Sequence, residues 1–151
     1  VGLPAAMRRL ARHAHHYHLA VSLHAANDAL RDQLVPVNAR IGLRHVMEAA
    51  DEYFELSGRR LTYEYVLLAG VNDQPAHARE LVRLLCGRPA LLNVIPYNPV
   101  QGLPYQTPDQ AAVRRFRELL EQGGVNVQFR QKKGDTIDAA CGQLRRAEAS
   151  R

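Results

Sequence analysis

The stretch LTYEYVLL (Leu61–Leu68) is the clearest strand in this 151-residue sequence, and the run Gly70-Val71-Asn72-Asp73 follows it. β-Branched and aromatic residues fit a pleated, half-buried surface, whereas glycine and asparagine are typical of the turn after a strand. Asp73 is a natural N-cap, and Pro75 stands in the first turn of a helix that we predict to run to about Cys86. The stretch therefore predicts one strand–turn–helix unit.

Units of the same kind lie on both sides of it. YHLAVSL (Tyr17–Leu23) reads as a buried strand, and Leu43–Leu56 as an amphipathic helix with Phe54 on its inner face. Further strands are predicted over Leu91–Pro96 and Val125–Phe129, and the helix between them (residues 107–120) opens with a capping box. Strands that alternate with helices in this way predict an α/β fold with a parallel sheet.

Length and composition fit a single domain spanning residues 1–151. With 46% hydrophobic residues the chain can bury a substantial core. No apolar run approaches the roughly 20 residues that span a membrane, so no membrane partner is expected. The net charge of +5 is compatible with a nucleic-acid partner, although many ordinary proteins are equally basic.

The cysteines and histidines predict no metal site. Two cysteines far apart in the sequence suggest no disulfide framework, which favours a reducing, cytoplasmic compartment. Two thiolates alone also cannot supply a full zinc or iron–sulfur ligand set. Four histidines cluster without a nearby Cys, Asp or Glu, and we interpret them as surface or helix-end residues: His13, His15, His16 and His18.

Polar residues follow three of the predicted strands, where parallel α/β sheets bind ligands. They are Ser22, His24 and Asn27 after the first strand, Asn72 and Asp73 after the second, and Asn98 after the third. Asn and Asp also favour turns and helix caps, and that reading is preferred for Asn27, Asn72 and Asp73. For Ser22, His24 and Asn98 both readings remain open from the residues alone.

A second candidate lies near the end of the sequence, where Cys141 stands among the small residues Ala139, Ala140 and Gly142. The basic run at residues 130–133 would favour its thiolate and attract phosphate. The alternative is a small buried cysteine in a helix end or turn, since free cysteine is among the most buried residue types. The other cysteine, Cys86, closes a predicted helix and is interpreted as a core residue.

Three motifs together carry a resemblance to a known family. They are SLHAAND (22–28), NVIPYNP (93–99) and the run DTIDAACGQL (135–144). In this order and at this spacing they resemble the RlmN/Cfr family of radical S-adenosylmethionine RNA methyltransferases. Gln143 makes the last motif similar to the RlmN branch.

The resemblance implies a partial (β/α)6 radical-SAM barrel, of which this chain supplies the C-terminal half. It implies that Ser22, Leu23, His24 and Asn98 contact S-adenosylmethionine and that Cys141 is the catalytic methyl carrier. The implied activity is radical methylation of C2 of an adenosine in 23S rRNA, and in tRNA. Basic residues around Cys141 would then hold RNA phosphates, or remain solvated surface charges: Arg130, Lys132, Lys133, Arg145 and Arg146.

The sequence also departs from the family pattern. It lacks the Cys-x-x-x-Cys-x-x-Cys loop that holds a 4Fe–4S cluster, so the cluster ligands are expected outside this chain. The resolving cysteine, the acidic general base and the N-terminal RNA-binding domain are also missing. We therefore expect a fragment of an enzyme that is inactive without its N-terminal half. The alternative is a catalytically inactive RNA-binding or structural remnant.

A half barrel would leave an unpaired strand and open apolar faces. We therefore expect the isolated chain to bind S-adenosylmethionine weakly or not at all, and to aggregate or dimerise.

Overall fold

A computed structural model describes residues 2–13, 17–100 and 102–130 of the chain. The helices are α1 (Pro4–Ala11), α2 (Asp28–Leu34), α3 (Asn38–Ile41), α4 (Leu43–Ser57), α5 (Pro75–Leu85) and α6 (Gln110–Gln122). The strands are β1 (Ala20–Ser22), β2 (Leu61–Leu67), β3 (Ala90–Pro96) and β4 (Val127–Phe129). Cys141 with its motif lies outside the described residues, as do His15, His16, Lys132, Lys133, Arg145 and Arg146.

The four strands form one parallel sheet in the order β1-β2-β3-β4. Val21 stands opposite Tyr63, and Tyr63 opposite Leu92. Helices separate each strand from the next along the chain, as crossovers between parallel strands require. The predicted α/β fold is confirmed.

The two faces of the sheet differ in chemistry. One face carries Val21, Tyr63, Tyr65, Leu92 and Val94, which join one buried core with residues of α1, α4, α5 and α6. The opposite face is half-exposed and presents one polar row across all four strands: Ser22, Glu64, Asn93 and Gln128. Within that row, Asn93 Nδ2 donates to Glu64 Oε2 at 2.8 Å. The helices therefore cover one face and leave a polar row on the other.

Helix α4 illustrates how the pattern sets the packing. Val46, Met47 and Ala50 are buried as their helical spacing predicts. Tyr53 is fully buried, whereas Phe54 is only partly buried against the core. The inner face is therefore centred on Tyr53, one position away from the predicted Phe54.

Two predicted helix caps are shifted along the chain. Asp73 does not cap α5; its Oδ1 accepts from the Gly70 N–H at 3.0 Å, and Gln74 is the N-cap. Asp109 caps α6, with its Oδ1 accepting from the Ala112 N–H at 2.6 Å. Asp73 shows that the turn before a helix, as well as the helix, competes for a capping side chain.

The hydroxyl expected to open the α6 capping box is used elsewhere. Thr107 Oγ1 donates to the Tyr97 carbonyl at 2.7 Å and so joins the loop before α6 to the end of β3.

The prediction for Cys86 is wrong, because Cys86 is exposed. Helix α5 ends at Leu85, one residue before Cys86, so the Cys86 side chain does not continue the buried face that carries Leu81 and Leu85. None of the helices in the described ranges is long and apolar enough to cross a membrane.

Candidate functional site

The turn after β1 brings a histidine ring into the hydrogen-bond ladder of the sheet. Thr62 N–H donates to the Leu19 carbonyl, so the amides of β2 at every second residue face β1. Two such steps further on, the Val66 N–H donates to Nδ1 of His24 at 3.1 Å. The ring nitrogen thus stands where a continuing β1 would have placed a carbonyl. His24 achieves this with φ of 58°, a left-handed conformation that is uncommon outside glycine.

This hydrogen bond fixes the chemistry of the imidazole. Because Nδ1 accepts, the neutral ring carries its proton on Nε2, which remains a donor. Burial lowers the pKa of His24 to about 4, and the positive charge of Arg31 acts in the same direction. At neutral pH His24 is therefore an uncharged donor in a half-buried position at the carboxyl edge of the sheet.

Asn72 joins the turns after β1 and β2. Its Nδ2 donates to the carbonyls of His24 at 3.0 Å and Val66 at 2.8 Å, and its Oδ1 accepts from the Leu68 N–H at 2.7 Å. Its carbonyl accepts from the Tyr65 hydroxyl at 2.8 Å. Asn72 is fully buried, and its side-chain amide and its carbonyl are hydrogen-bonded to other residues of the fold. The turn reading of Asn72 is correct, and the residue also positions His24.

A buried arginine supports the end of β1 from behind. Arg31 on α2 is 1% exposed, and it donates to the carbonyls of Ser22 at 2.8 Å and Leu23 at 3.0 Å. Its third donor meets Asn38 Oδ1. Asn38 Nδ2 in turn donates to Asp28 and Asp32 at 2.8 and 2.6 Å. A buried guanidinium needs such partners, and here they fix the backbone of residues 22 and 23.

Asn27 has the capping role that the sequence favours for it. Its Oδ1 accepts from the Leu30 N–H at 2.9 Å, at the start of α2. Its Nδ2 donates to Glu80 on α5 at 2.7 Å, so both ends of the amide are engaged within the fold.

The segment after β3 brings the last predicted residue to the same edge. Tyr97 N–H continues the ladder by donating to the Leu67 carbonyl at 3.0 Å, and Gln106 returns to accept from the Ala69 N–H at 3.0 Å. Asn98 lies between these anchors and is half-buried. Its side-chain amide makes no hydrogen bond within the described part of the chain, so its donor and acceptor are both available to a ligand.

The predicted cofactor residues therefore lie at one edge of the sheet, but they offer different hydrogen-bonding groups to a ligand. Ser22, Leu23 and His24 end β1, Asn98 follows β3, and β2 lies between them. The Leu23 side chain is fully buried, and its N–H donates to the Glu64 carbonyl, so only its carbonyl has spare capacity for a ligand. His24 Nε2 and the Asn98 amide are the side-chain groups best placed to act outside the fold.

These residues fit an amino-acid-bearing nucleoside better than a metal cluster. A neutral imidazole N–H, an amide and backbone carbonyls that each keep a second lone pair match the hydroxyl, amino and carboxylate groups of S-adenosylmethionine. An iron–sulfur cluster requires several cysteine thiolates, whereas the sequence has two cysteines. One of them, Cys86, follows the C-terminal end of α5, whereas the candidate site lies near the N-terminal end of that helix. Across the described ranges, no three His, Cys, Asp or Glu side chains are grouped as metal ligands. This chain therefore does not fit the cluster.

Sequence reasoning missed Arg31 and Glu64. Arginine is mostly exposed in proteins, so nothing marked Arg31 as buried. Glu64 interrupts the apolar run of β2, and this was the available signal that the second face of the strand is polar. Its register opposite Ser22 places a carboxylate beside the candidate site.

Comparison with known proteins shows what the chain is similar to in sequence and fold. No family model matches the chain. A probable dual-specificity RNA methyltransferase RlmN from Rhodopirellula baltica is 64% identical over 146 residues, which cover 97% of this chain and 39% of that protein. A crystal structure of a radical SAM methyltransferase from Sphaerobacter thermophilus superimposes with a TM-score of 0.90 at 44% identity, over 94% of this chain and 42% of that one.

A domain of pyruvate-formate lyase-activating enzyme from Bacteroides vulgatus shares the fold alone. It matches with a TM-score of 0.66 at 14% identity, over 86% of this chain and 76% of that one. The chain spans about two fifths of the length of the curated relatives it matches. By these similarities in sequence and fold, the chain belongs to the RlmN family of radical SAM methyltransferases and corresponds to the C-terminal part of its members.

Proposed function

We propose that this chain is the S-adenosylmethionine- and RNA-facing part of an RNA methyltransferase. The observation that carries the proposal is the carboxyl edge of the sheet, where His24 after β1 is held as a neutral donor and the Asn98 amide after β3 makes no hydrogen bond within the described residues. The similarity to proteins named as RNA methyltransferases supports the same function.

In this proposal Ser22, Leu23, His24 and Asn98 bind S-adenosylmethionine, which supplies the methyl group. His24 donates from Nε2, Asn98 offers its amide, and Leu23 accepts through its carbonyl. The network of Arg31 and Asn72 holds these groups in place before the ligand arrives. Preorganisation of this kind reduces the ordering cost of binding.

The finer assignments come from the sequence motifs. Cys141 would receive the methyl group as a thioether, in preparation for its transfer to an adenosine C2 in 23S rRNA or tRNA. The 4Fe–4S cluster of the radical chemistry would be bound by cysteines outside this chain. We also propose that residues 1–151 form one domain, since the described elements share one core.

A chimera tests the function directly. In it, this chain replaces the part of the Rhodopirellula baltica relative that it matches, so that the relative supplies the rest of the protein. We expect the reconstituted chimera to form 2-methyladenosine in unmodified 23S rRNA and tRNA transcripts, detected by mass spectrometry of nucleoside digests. Cys141→Ala should abolish the product. Formation of 2-methyladenosine by that variant would contradict the carrier assignment, and a folded chimera without any product would favour the inactive remnant.

His24 is tested by two substitutions that separate its nitrogens. Asn tolerates a positive φ and places its Oδ1 near the Nδ1 acceptor, but it lacks the distal donor. We expect His24→Asn to keep the fold of the chimera and to weaken S-adenosylmethionine binding about tenfold, the effect of losing one good hydrogen bond, measured by calorimetry. His24→Gln, which keeps a distal donor and loses the proximal acceptor, should instead lower stability. Unchanged affinity in a folded His24→Asn variant would remove His24 from the site.

A further inference from the structure

A basic cavity lies beside the proposed site, on the helix-covered side of β4. It has a volume of about 520 Å³ and is formed by the first half of α6 and the carboxyl ends of β3 and β4. Three arginines line it, Arg114 and Arg117 from α6 and Arg130 from the residue after β4. Their side chains converge because positions 114 and 117 are one helical turn apart and face the end of β4.

Within the described residues, the charge in this cavity is not compensated. Among them, no Asp or Glu lines the cavity and none of the three arginines forms an ion pair. Elsewhere in the fold Arg8 and Arg88 pair with Glu52 and Asp51. Unpaired guanidinium groups around a concavity favour an anion, and their planar donors match phosphate oxygens.

One of the arginines is held in place by an aromatic ring. The Arg117 guanidinium lies 4.5 Å from the centroid of Phe129 on β4, within the range of a cation–π contact. Arg130 is also anchored, since its N–H donates to the Val94 carbonyl of β3 at 2.9 Å. The ring of Phe129 therefore positions the Arg117 guanidinium, and the backbone hydrogen bond of Arg130 fixes the point from which its side chain extends.

The cavity is contiguous with the edge that carries the candidate site. Pro96 and Thr107 line it, and Asn98 lies between them in sequence, two residues after Pro96. Thr107 is fixed to the end of β3 by its bond to the Tyr97 carbonyl at 2.7 Å. A phosphate bound at these arginines would therefore lie close to the segment that carries Asn98.

We infer that this cavity binds a backbone phosphate of the RNA substrate and so fixes the position of the strand relative to Asn98 and His24. The inference rests on the proposed function and adds to it the surface that receives the RNA. Phosphate contacts of this type set register without reading sequence. Arg114 and Arg117 are then RNA-binding residues that no sequence motif marks.

The test measures binding of an unmodified tRNA transcript to the chimera by fluorescence anisotropy, from about 50 to 200 mM salt, a range in which phosphate contacts weaken strongly. We expect Arg114→Gln and Arg130→Gln each to weaken binding severalfold and to reduce the magnitude of the salt slope by about 1. Arg117→Lys, which keeps the charge and loses the planar stack, should weaken binding less than Arg117→Gln.

Arg115→Gln is the matched control. Arg115 is an exposed neighbour on the same helix, does not line the cavity, and its substitution removes the same charge. Equal losses in the Arg115 and Arg114 variants, or no loss in any variant, would overturn the inference. S-adenosylmethionine binding by each variant is measured in parallel and should be unchanged. Absence of methylation by the unsubstituted chimera would instead count against the proposed function, whatever the arginine variants do.

Discussion

The His24 ring stands in for a backbone carbonyl of the sheet only while Nδ1 is unprotonated. The pKa of His24 is lowered to about 4 in the fold, against an ordinary value of 6.5. The unfolded chain therefore binds more protons than the folded chain between these two values, and stability decreases as the pH falls through this window. At about 1.4 kcal/mol per pKa unit, the loss attributable to His24 is on the order of 3 kcal/mol below pH 4.

This dependence is open to direct measurement. Urea denaturation of the chimera at pH 7.5 and at pH 5 should give a lower free energy of unfolding at the acid value. In His24→Asn, which does not titrate there, we expect a smaller difference between the two pH values. Equal pH dependence in both proteins would show that His24 titrates normally in the fold.

Arg31 carries more of the local stability than its residue type suggests. Arg31→Met would leave the carbonyls of Ser22 and Leu23 and the amide of Asn38 without their buried donor. Loss of one member of a buried charged network typically costs about 3–5 kcal/mol. Arg44→Met is the control, because Arg44 is exposed and its pair with Glu48 at 3.2 Å is worth under about 1 kcal/mol. Similar unfolding free energies for the two variants in urea denaturation would contradict the role given to Arg31.

Among the elements, α5 and α6 approach each other at a glycine. A Cβ on Gly123 would lie 2.3 Å from Val82 Cγ2, closer than side chains can pack. We expect Gly123→Ala to destabilise the protein by about 1–3 kcal/mol through overpacking. The φ of Gly123 is −78°, so backbone strain does not contribute.

A double-mutant cycle isolates this contact. Val82→Ala removes the methyl groups that would clash, so Gly123→Ala should cost less in that background, with a coupling energy of about 0.5–3 kcal/mol. Thermal or urea denaturation of the four proteins gives the value. An identical cost in both backgrounds would mean that the helices do not meet there.

The elements were easier to predict than the atoms that join them. The β-branched and aromatic run of β2 and the alternation with amphipathic helices led to the correct parallel α/β fold. The caps at Asp73 and Thr107 were misplaced because each side chain bonds to a different backbone group, which the sequence does not reveal. Cys86 was misassigned because residue type alone could not show that α5 ends before it.

The candidate site could be predicted only in part from the sequence, for the same reason. Ser22, His24 and Asn98 stood out as polar residues after strands, and the motifs gave them a role. Arg31 and Asn72 act through contacts with residues up to 48 positions away, such as Asn72 Nδ2 with the His24 carbonyl. No local pattern encodes such a pair, so these positioning residues emerge only from the fold.

For the whole molecule, the half-exposed face of the sheet governs behaviour in isolation. Beside its polar row this face carries Thr62, Val66, Leu91 and Ile95, and β1 and β4 are the edge strands of the described sheet. Such edges and apolar positions favour association with other chains. We expect the isolated chain to elute as dimers or larger species in size-exclusion chromatography with light scattering. The chimera should elute as fewer species, each of defined mass. A monomeric isolated chain that binds S-adenosylmethionine tightly would overturn this expectation.

The hydrogen bonds that shape the turn after β1 also suggest an order of folding. The Arg31 network closes contacts between residues 6 to 10 positions apart, which cost little chain entropy and can form early. The bonds of His24 with Val66 and Asn72 span 42 and 48 positions and require β1 and β2 to be paired first. We therefore expect the backbone of residues 22 and 23 to be set before the imidazole is captured, and the proposed ligand site to be completed late in folding.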